Sequence, residues 1–489
     1  MQINTSTHLQ ERNVTQYLSE FWLPHLIATE DLFTHLEYVD TSCKELRSEA
    51  LRQELETFDD MLVSELPSTW RFKEYRRRTI ITLVGEITYL RRIYIEPSGI
   101  CHALLDEVLG IRTRFKLAPD AFLWIAKTAA DISYRKTAKA FFERTGAKIS
   151  HWLVMAVVHE EGNLILEELY EKAFEGKRSS NELLISSERL FVEFDGIHIP
   201  LQKKFHEPKK TRRVYEKNRK KNSFELKVGC FYAGKNKRRR RVGCIHFATD
   251  TPAAYYWPLL NAKIASVYDT EYISEVHSSA DAAGWCKNSE LDVFATATKA
   301  VHHLDRFHLN REIRRAFGGN TDKASHFISL AYKKRTKKMF RDLQKVINHV
   351  KDKSKYLDLQ AYLLSNKDLI KQGAGPSMGT MEGTNAHVYA ARMKVWGGAW
   401  SRKGAEAMAA LRARLASREE LIVPKPDNVL YDDFQIKKRK DYEHSLRQFN
   451  CFITQTQGKG YEAPQGSVAL TSLWPRKLQG ILGRYLQNW

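Results

Sequence analysis

The chain has no CxxC pair. Its six cysteines, at 43, 101, 230, 244, 286 and 451, are spread along 489 residues, so neither a zinc ribbon nor a disulfide framework is indicated and a reducing, intracellular compartment is expected. It also lacks any run of roughly 18 to 20 uncharged apolar residues of the kind a membrane span needs. The opening MQINTSTHLQERN has no basic-then-apolar pattern, which argues against a signal peptide. Acidic residues are in deficit, with 58 Asp plus Glu against 78 Lys plus Arg and a net charge of +20.

The positive charge is clustered. Residues 203 to 221 hold ten Lys or Arg, and GKNKRRRRVG (234 to 243) holds six. Either run alone would pass for a solvated loop, but several in one acid-poor protein point to a polyanionic partner, nucleic acid before an anionic membrane. With 43% hydrophobic and 11% aromatic residues, the chain can build real cores. Its length allows about three domains.

Residues 14 to about 66 read as helix, with Leu51, Leu55, Phe58 and Leu62 at helical spacing and Pro67 as a stop. RRRTIITLVGEITYLRRIYIEP (76 to 97) reads as a hairpin about Gly85-Glu86. Its arginines suit phosphates, or serve as edge charges that deter aggregation. From 118 to 162 three short helices are expected, with Asp120 starting the first, Ser133 and Ser150 capping the others, and Gly146 ending the second. That rhythm fits a helix-turn-helix unit, although the third helix is apolar enough for plain core packing.

Strands come next: FVEFDGIHIPLQ (191 to 202), FELKVGCFYAG (224 to 234) and RRVGCIHFATD (240 to 250), with a basic hairpin tip at Arg238, Arg239, Arg240 and Arg241. After a helix come TEYISEVHSSAD (270 to 281) and KAVHHLDRFHL (299 to 309) as two further strands. Residues 311 to 373 return to helix, with Met339, Leu343, Val346, Ile347 and Val350 as an apolar stripe. MEGTNAHVYAARMKVWGG and SRKGAEAMAALRARLAS also read as helical, and beyond about 420 the pattern fades.

Asp195 stands in an apolar strand, where an ionised carboxylate is costly unless compensated. Asp281 ends the fourth strand and Glu382 opens a late helix. Two such carboxylates at about 4.5 Å and an effective dielectric near 20 repel by roughly 4 kcal/mol, which a hard divalent cation removes. Two ions about 3.5 to 4 Å apart can activate a nucleophile and stabilise a leaving oxygen in phosphoryl transfer. Among 58 acids such a set can arise by chance, and each has a plain alternative as a turn aspartate or an N-terminal helix glutamate. Glu193 and Asp292 fall in no motif.

Context adds to spacing. DGIHIPLQ, ELKVGCFYAG, DAAGW, LDRFH and MEGTNAHVYAARMK with GGAWS, in this order, resemble the insertion-sequence DDE transposases of the ISLre type, which are similar to the broader Mutator-like group. The resemblance runs from about 70 to 412. It implies an RNase H-like core, a mixed five-stranded sheet with flanking helices interrupted by an all-helical insertion. It also implies that Asp195, Asp281 and Glu382 bind two Mg²⁺ (or Mn²⁺) ions, that Asp305 and His308 support them, and that Arg392 and Lys394 lie near DNA. Three features depart from the pattern: Ala282 stands where a glycine is usual, HSSAD (277 to 281) is more polar than the usual strand, and the extra basic loop at 203 to 221 has no clear family role.

The expected organisation is a helical region (1–67), a hairpin (68–105), a helix-turn-helix-like region (106–185), a core (186–310), an insertion (311–375), the last core helices (376–415) and a tail (416–489). The expected activity is cleavage at element ends and strand transfer, on double-stranded DNA, by a cytoplasmic, nucleoid-associated homodimer or larger assembly. A nuclease that never joins and a non-catalytic DNA-binding derivative are the alternatives.

Overall fold

The computed structural model describes residues 23–28, 31–113, 115–174, 184–202, 223–280, 297–318, 320–372, 378–379, 381–395 and 398–424. Asp281, Ala282, the loop at 203–221 and residues 425–489 of the tail lie outside them. Two compact units form, one from 1–124, 138–150 and 423–489, the other from 125–137 and 151–422.

In the first unit, α1 (Leu32–Leu62) is capped by Asp31, whose carboxylate accepts from Thr34 N at 2.9 Å. Leu55 and Leu62 of α1 join a core with Ile80, Ile87, Tyr89 and Tyr94 of an antiparallel hairpin, β1 (Arg71–Ile81) and β2 (Glu86–Ile95). Gly85, at φ 145°, makes the turn in a region open to glycine. Three of the hairpin arginines, suited by sequence to phosphates, are engaged internally. Arg78 and Arg91 face Asp106 at 3.7 and 3.0 Å, and Arg92 bridges Asp59 and Asp60 at 2.8 and 2.5 Å.

Helices α2 (Pro119–Asp131) and α3 (Tyr134–Thr145) contribute to both units. The third expected helix is longer than its sequence signal: α4 runs His151–Phe174, through Gly162. Gly162 does not end it because that glycine is a contact point, where α13 (Arg402–Ala416) crosses. Val154, Val157 and Val158 of α4 are buried, so its apolar face is a core face.

The second unit is built on a five-stranded mixed sheet: β3 (Arg189–Pro200), β4 (Ser223–Tyr232), β5 (Ile245–Thr249), β6 (Glu275–Ala280) and β7 (Lys299–Leu304), in the order β7-β6-β3-β4-β5. β6 is parallel to β3 and to β7, while β4 is antiparallel to β3 and β5, so β4 alone is reversed. Successive side chains alternate between faces. Leu190, Val192 and Phe194 go to one side, into a core with Val276, Ala280 and the residues Tyr256, Trp257 and Leu260 of α5 (Ala253–Ala265). Glu193 and Asp195 therefore go to the other.

The last strand is shorter than expected. It stops at Leu304, because Asp305 caps α6 (Arg306–Phe317). The helical insertion accordingly begins at 306, and continues as α7 (Thr321–Tyr332), α8 (Thr336–His349), α9 (Ser354–Ser365) and α10 (Lys367–Gln372) about its own core of Ile313, Phe327, Met339, Leu343 and Leu363. The chain then returns to the sheet as α11 (Met381–Thr384), a π-helical segment (Asn385–Ala390) and α12 (Ala391–Met393). Among the described residues no helix is long and apolar enough to cross a membrane.

Candidate functional site

Strand register lines up the acids. Phe194 pairs with Ala280, and Ala280 with Leu304. One step further along the outer two of these three adjacent parallel strands stand Asp195 and Asp305, while the residue after Ala280 in the sequence is Asp281, outside the described residues. Asp305 N donates to Ala280 O at 2.9 Å, which fixes the end of β7 to the end of β6.

Asp195 is 7% exposed. Its Oδ1 accepts from Gly196 N and its Oδ2 from Asn385 Nδ2, each at 2.7 Å. Asn385 is 190 residues away in sequence, one turn after Glu382, so this bond brings the late helical segment to the acidic strand end. Glu382 is exposed at the head of α11. Lys394 senses both acids: desolvation draws its ammonium down, opposed by the charges of Glu382 and Asp195. Glu193 lies two residues before Asp195 on the same face. It is buried, accepts from Tyr232 Oη at 2.6 Å, and its other oxygen accepts from Gly379 N at 2.9 Å. Glu193, one of the two acids outside the motifs, thus tethers the chain just ahead of Glu382.

Asp305 Oδ2 lies 2.8 Å from His308 Nδ1. Desolvation lowers this buried imidazole's pKa, but the Asp305 hydrogen bond and the nearby Asp195 charge outweigh it, Arg311 opposing, and the net direction is up. The proton is held more tightly folded than unfolded. Its stabilising contribution is complete below the ordinary histidine value of about 6.5 and is lost as pH rises through the raised folded value. In melts of wild type and His308→Gln, the gap in Tm should therefore be widest near about pH 6 and shrink toward about pH 9. A gap independent of pH would mean that the imidazolium contributes nothing.

The basic residues divide. Arg238, Arg239 and Arg240 are exposed at the hairpin tip. Arg241 turns inward, its guanidinium 3.2 Å from Cys230 Sγ and from Thr384 Oγ1 and over the Tyr232 ring. Arg392, expected beside DNA, is placed otherwise. It is 8% exposed, stacks between Trp400 and Tyr134 at 5.0 and 5.4 Å, and donates from Nε to Ala129 O. Lys394 remains exposed. A cleft of about 1050 Å³ opens beside the π-helical segment, lined by Lys235, Arg239, Arg240, Arg241, His387 and Arg418 among others. Asn385, Glu193 and this cleft were missed in the sequence, since no local pattern joins residues so far apart.

The second unit is thus an α/β scaffold that gathers carboxylates at parallel strand ends beside a cationic cleft. The uncharacterised protein family UPF0236 matches residues 30–420, and the chain belongs to that family. A UPF0236 protein of Caldanaerobacter subterraneus subsp. tengcongensis, whose name carries eleven locus labels from TTE0033 to TTE2212, is 25% identical over 377 residues, 75% of this chain and 74% of that one. Another from the same strain, with four labels, is 24% identical over 351 residues, 70% of this chain and 68% of that one. A UPF0236 protein in the vanSb 3′ region of Streptococcus gallolyticus is 21% identical over 393 residues, 77% of this chain and 82% of that one.

Proposed function

We propose that the protein is a DNA transposase with an RNase H-like core, cutting double-stranded DNA at element ends and joining it to a target. The observation that carries this reading is the Asn385–Asp195 hydrogen bond, which ties the Glu382 segment to the acidic strand after a long helical insertion. The five-stranded mixed sheet, with β4 alone reversed, supports this reading, since a mixed five-stranded sheet is what the resemblance implies. Eleven locus labels on one relative's name fit a gene that is copied within a genome.

In this reading Asp195, Glu382 and Asp281, the last placed by sequence alone, would offer an all-oxygen donor set suited to a hard cation such as Mg²⁺ or Mn²⁺. Such ions, when bound, supply Lewis-acid stabilisation of the developing phosphoryl charge. The protein's own groups do the rest. Asn385 orients the Asp195 carboxylate, His308 orients Asp305, and Lys394 with the cleft arginines offers cations to the phosphates. Incubating the full chain with a marked element and Mg²⁺ should yield strand-cut and joined products. Cutting without joining would make it a nuclease, and DNA binding with neither would leave only a DNA-binding protein.

Phosphate contacts should dominate affinity. Replacing Arg238, Arg239 and Arg240 together by alanine should flatten the slope of log K against log salt by about 2 to 3, at about 0.9 for each phosphate no longer neutralised. An unchanged slope assigns these arginines to solvent.

A further inference from the structure

The hairpin of β4 and β5 brings three soft donors to one face. Cys230 on β4 pairs directly with His246 on β5. Cys244 lies two residues before His246, so strand alternation sends all three side chains out on the same side. Their sulfur and nitrogen atoms lie within 4.8 Å of one another. Cys244 Sγ and His246 Nε2 are 3.6 Å apart. A tetrahedral site with Zn–S about 2.3 Å and Zn–N about 2.0 to 2.1 Å sets these two atoms about 3.6 Å apart. Both cysteines are free, Cys230 fully buried and His246 only 5% exposed. The Arg241 guanidinium lies 3.2 Å from Cys230 Sγ.

We propose that Cys230, Cys244 and His246 bind one thiophilic divalent cation of the zinc type. The lack of a CxxC pair does not weigh against it, because the donors come from facing strands rather than from one knuckle. Three protein ligands leave a fourth position, and Cys244 and His246 both line the cleft, so a water or a cleft-bound group completes the shell. The ion joins the two strands at the root of the hairpin that carries Arg238, Arg239 and Arg240. Its soft donors separate it from the carboxylates near Asp195, which suit a hard cation. The site requires neither DNA nor transposase activity.

The test uses the full chain, reduced, loaded with Zn²⁺ alone and desalted. The expected result is one zinc per chain by elemental mass spectrometry. Cys230→Ser, Cys244→Ser and His246→Gln should each weaken retention by at least about tenfold. With Co²⁺ in place of zinc, a thiolate-to-cobalt charge-transfer band should appear. Zinc binding should also protect the 234–243 hairpin from proteolysis. The proposal is overturned if reduced wild-type protein retains no zinc and gives no charge-transfer band, including the case in which the thiols are instead recovered as a Cys230–Cys244 disulfide. Both decisive readouts come from wild type, so a variant that fails to fold leaves the result readable.

Discussion

Asp195→Asn should slow DNA cleavage by on the order of 10³-fold or more, while DNA affinity stays within a few-fold of wild type. The substitution keeps the shape of a side chain that is 7% exposed, removes its charge and turns one of its two accepting oxygens into an N–H donor. Glu382→Gln should behave alike. Asn385→Ala acts through Asp195, whose Oδ2 it holds at 2.7 Å, and should cost about 10- to 100-fold, as removal of a group that orients a ligand does. A rate assay at saturating DNA, run beside a binding isotherm, separates the two effects. Normal cleavage by Asp195→Asn would reduce that carboxylate to a structural role and remove the main support for the transposase reading.

Gly162→Ala should be among the most destabilising single substitutions in the second unit. A β-carbon there would stand 2.4 Å from Ala407 Cα and 2.6 Å from Ala407 O. Those are backbone atoms of α13, which cannot swing aside as a side-chain tip can. Overpacking of this kind costs roughly 1 to 3 kcal/mol or more, and the two helices must part to relieve it. At Gly383 an added β-carbon meets nothing within 4 Å, so Gly383→Ala is the control. Thermal melts should show a fall of several degrees for the first and little change for the second. Equal melting temperatures would mean that α4 and α13 do not approach this closely.

The range of each interaction decides how legible it was in the sequence. β3 was legible because its apolar residues crowd into one short segment, with Leu190, Val192 and Phe194 buried below. β6 was harder. Its residues EVHSSA resemble a polar loop, yet five of the six are buried, and their polar atoms are satisfied across the ladder. His277 meets His303 at 2.9 Å, and Ser278 meets His302 at 2.6 Å. Strand propensity runs on through Asp305, yet β7 ends at Leu304, because Asp305 with Leu309, Ile313 and Phe317 on one helical face is an N-cap signal. The four arginines at 238–241 are one run in composition, and only the hairpin turns Arg241 inward. The Asn385–Asp195 hydrogen bond spans 190 residues and belongs to no local pattern.

The π-helical stretch at Asn385–Ala390 places a limit on chain length. A π turn closes i to i+5, so it holds one residue more than the α-helix on either side. Deleting one residue within it only returns ordinary α winding with the flanking turns still in phase, but a second deletion, with no extra residue left to absorb it, would swing the downstream residues by about 100°. Asn385 and Tyr389, which reach Asp195 and Phe247 O at 2.7 and 3.2 Å, would lose their common phase with Arg392 in its slot between Trp400 and Tyr134. Side-chain exchange on the outer surface of this stretch is mild by comparison. Among homologous chains, gaps longer than one residue should be excluded here even where letters differ, so an alignment can mark the site by its spacing rather than by constant residues.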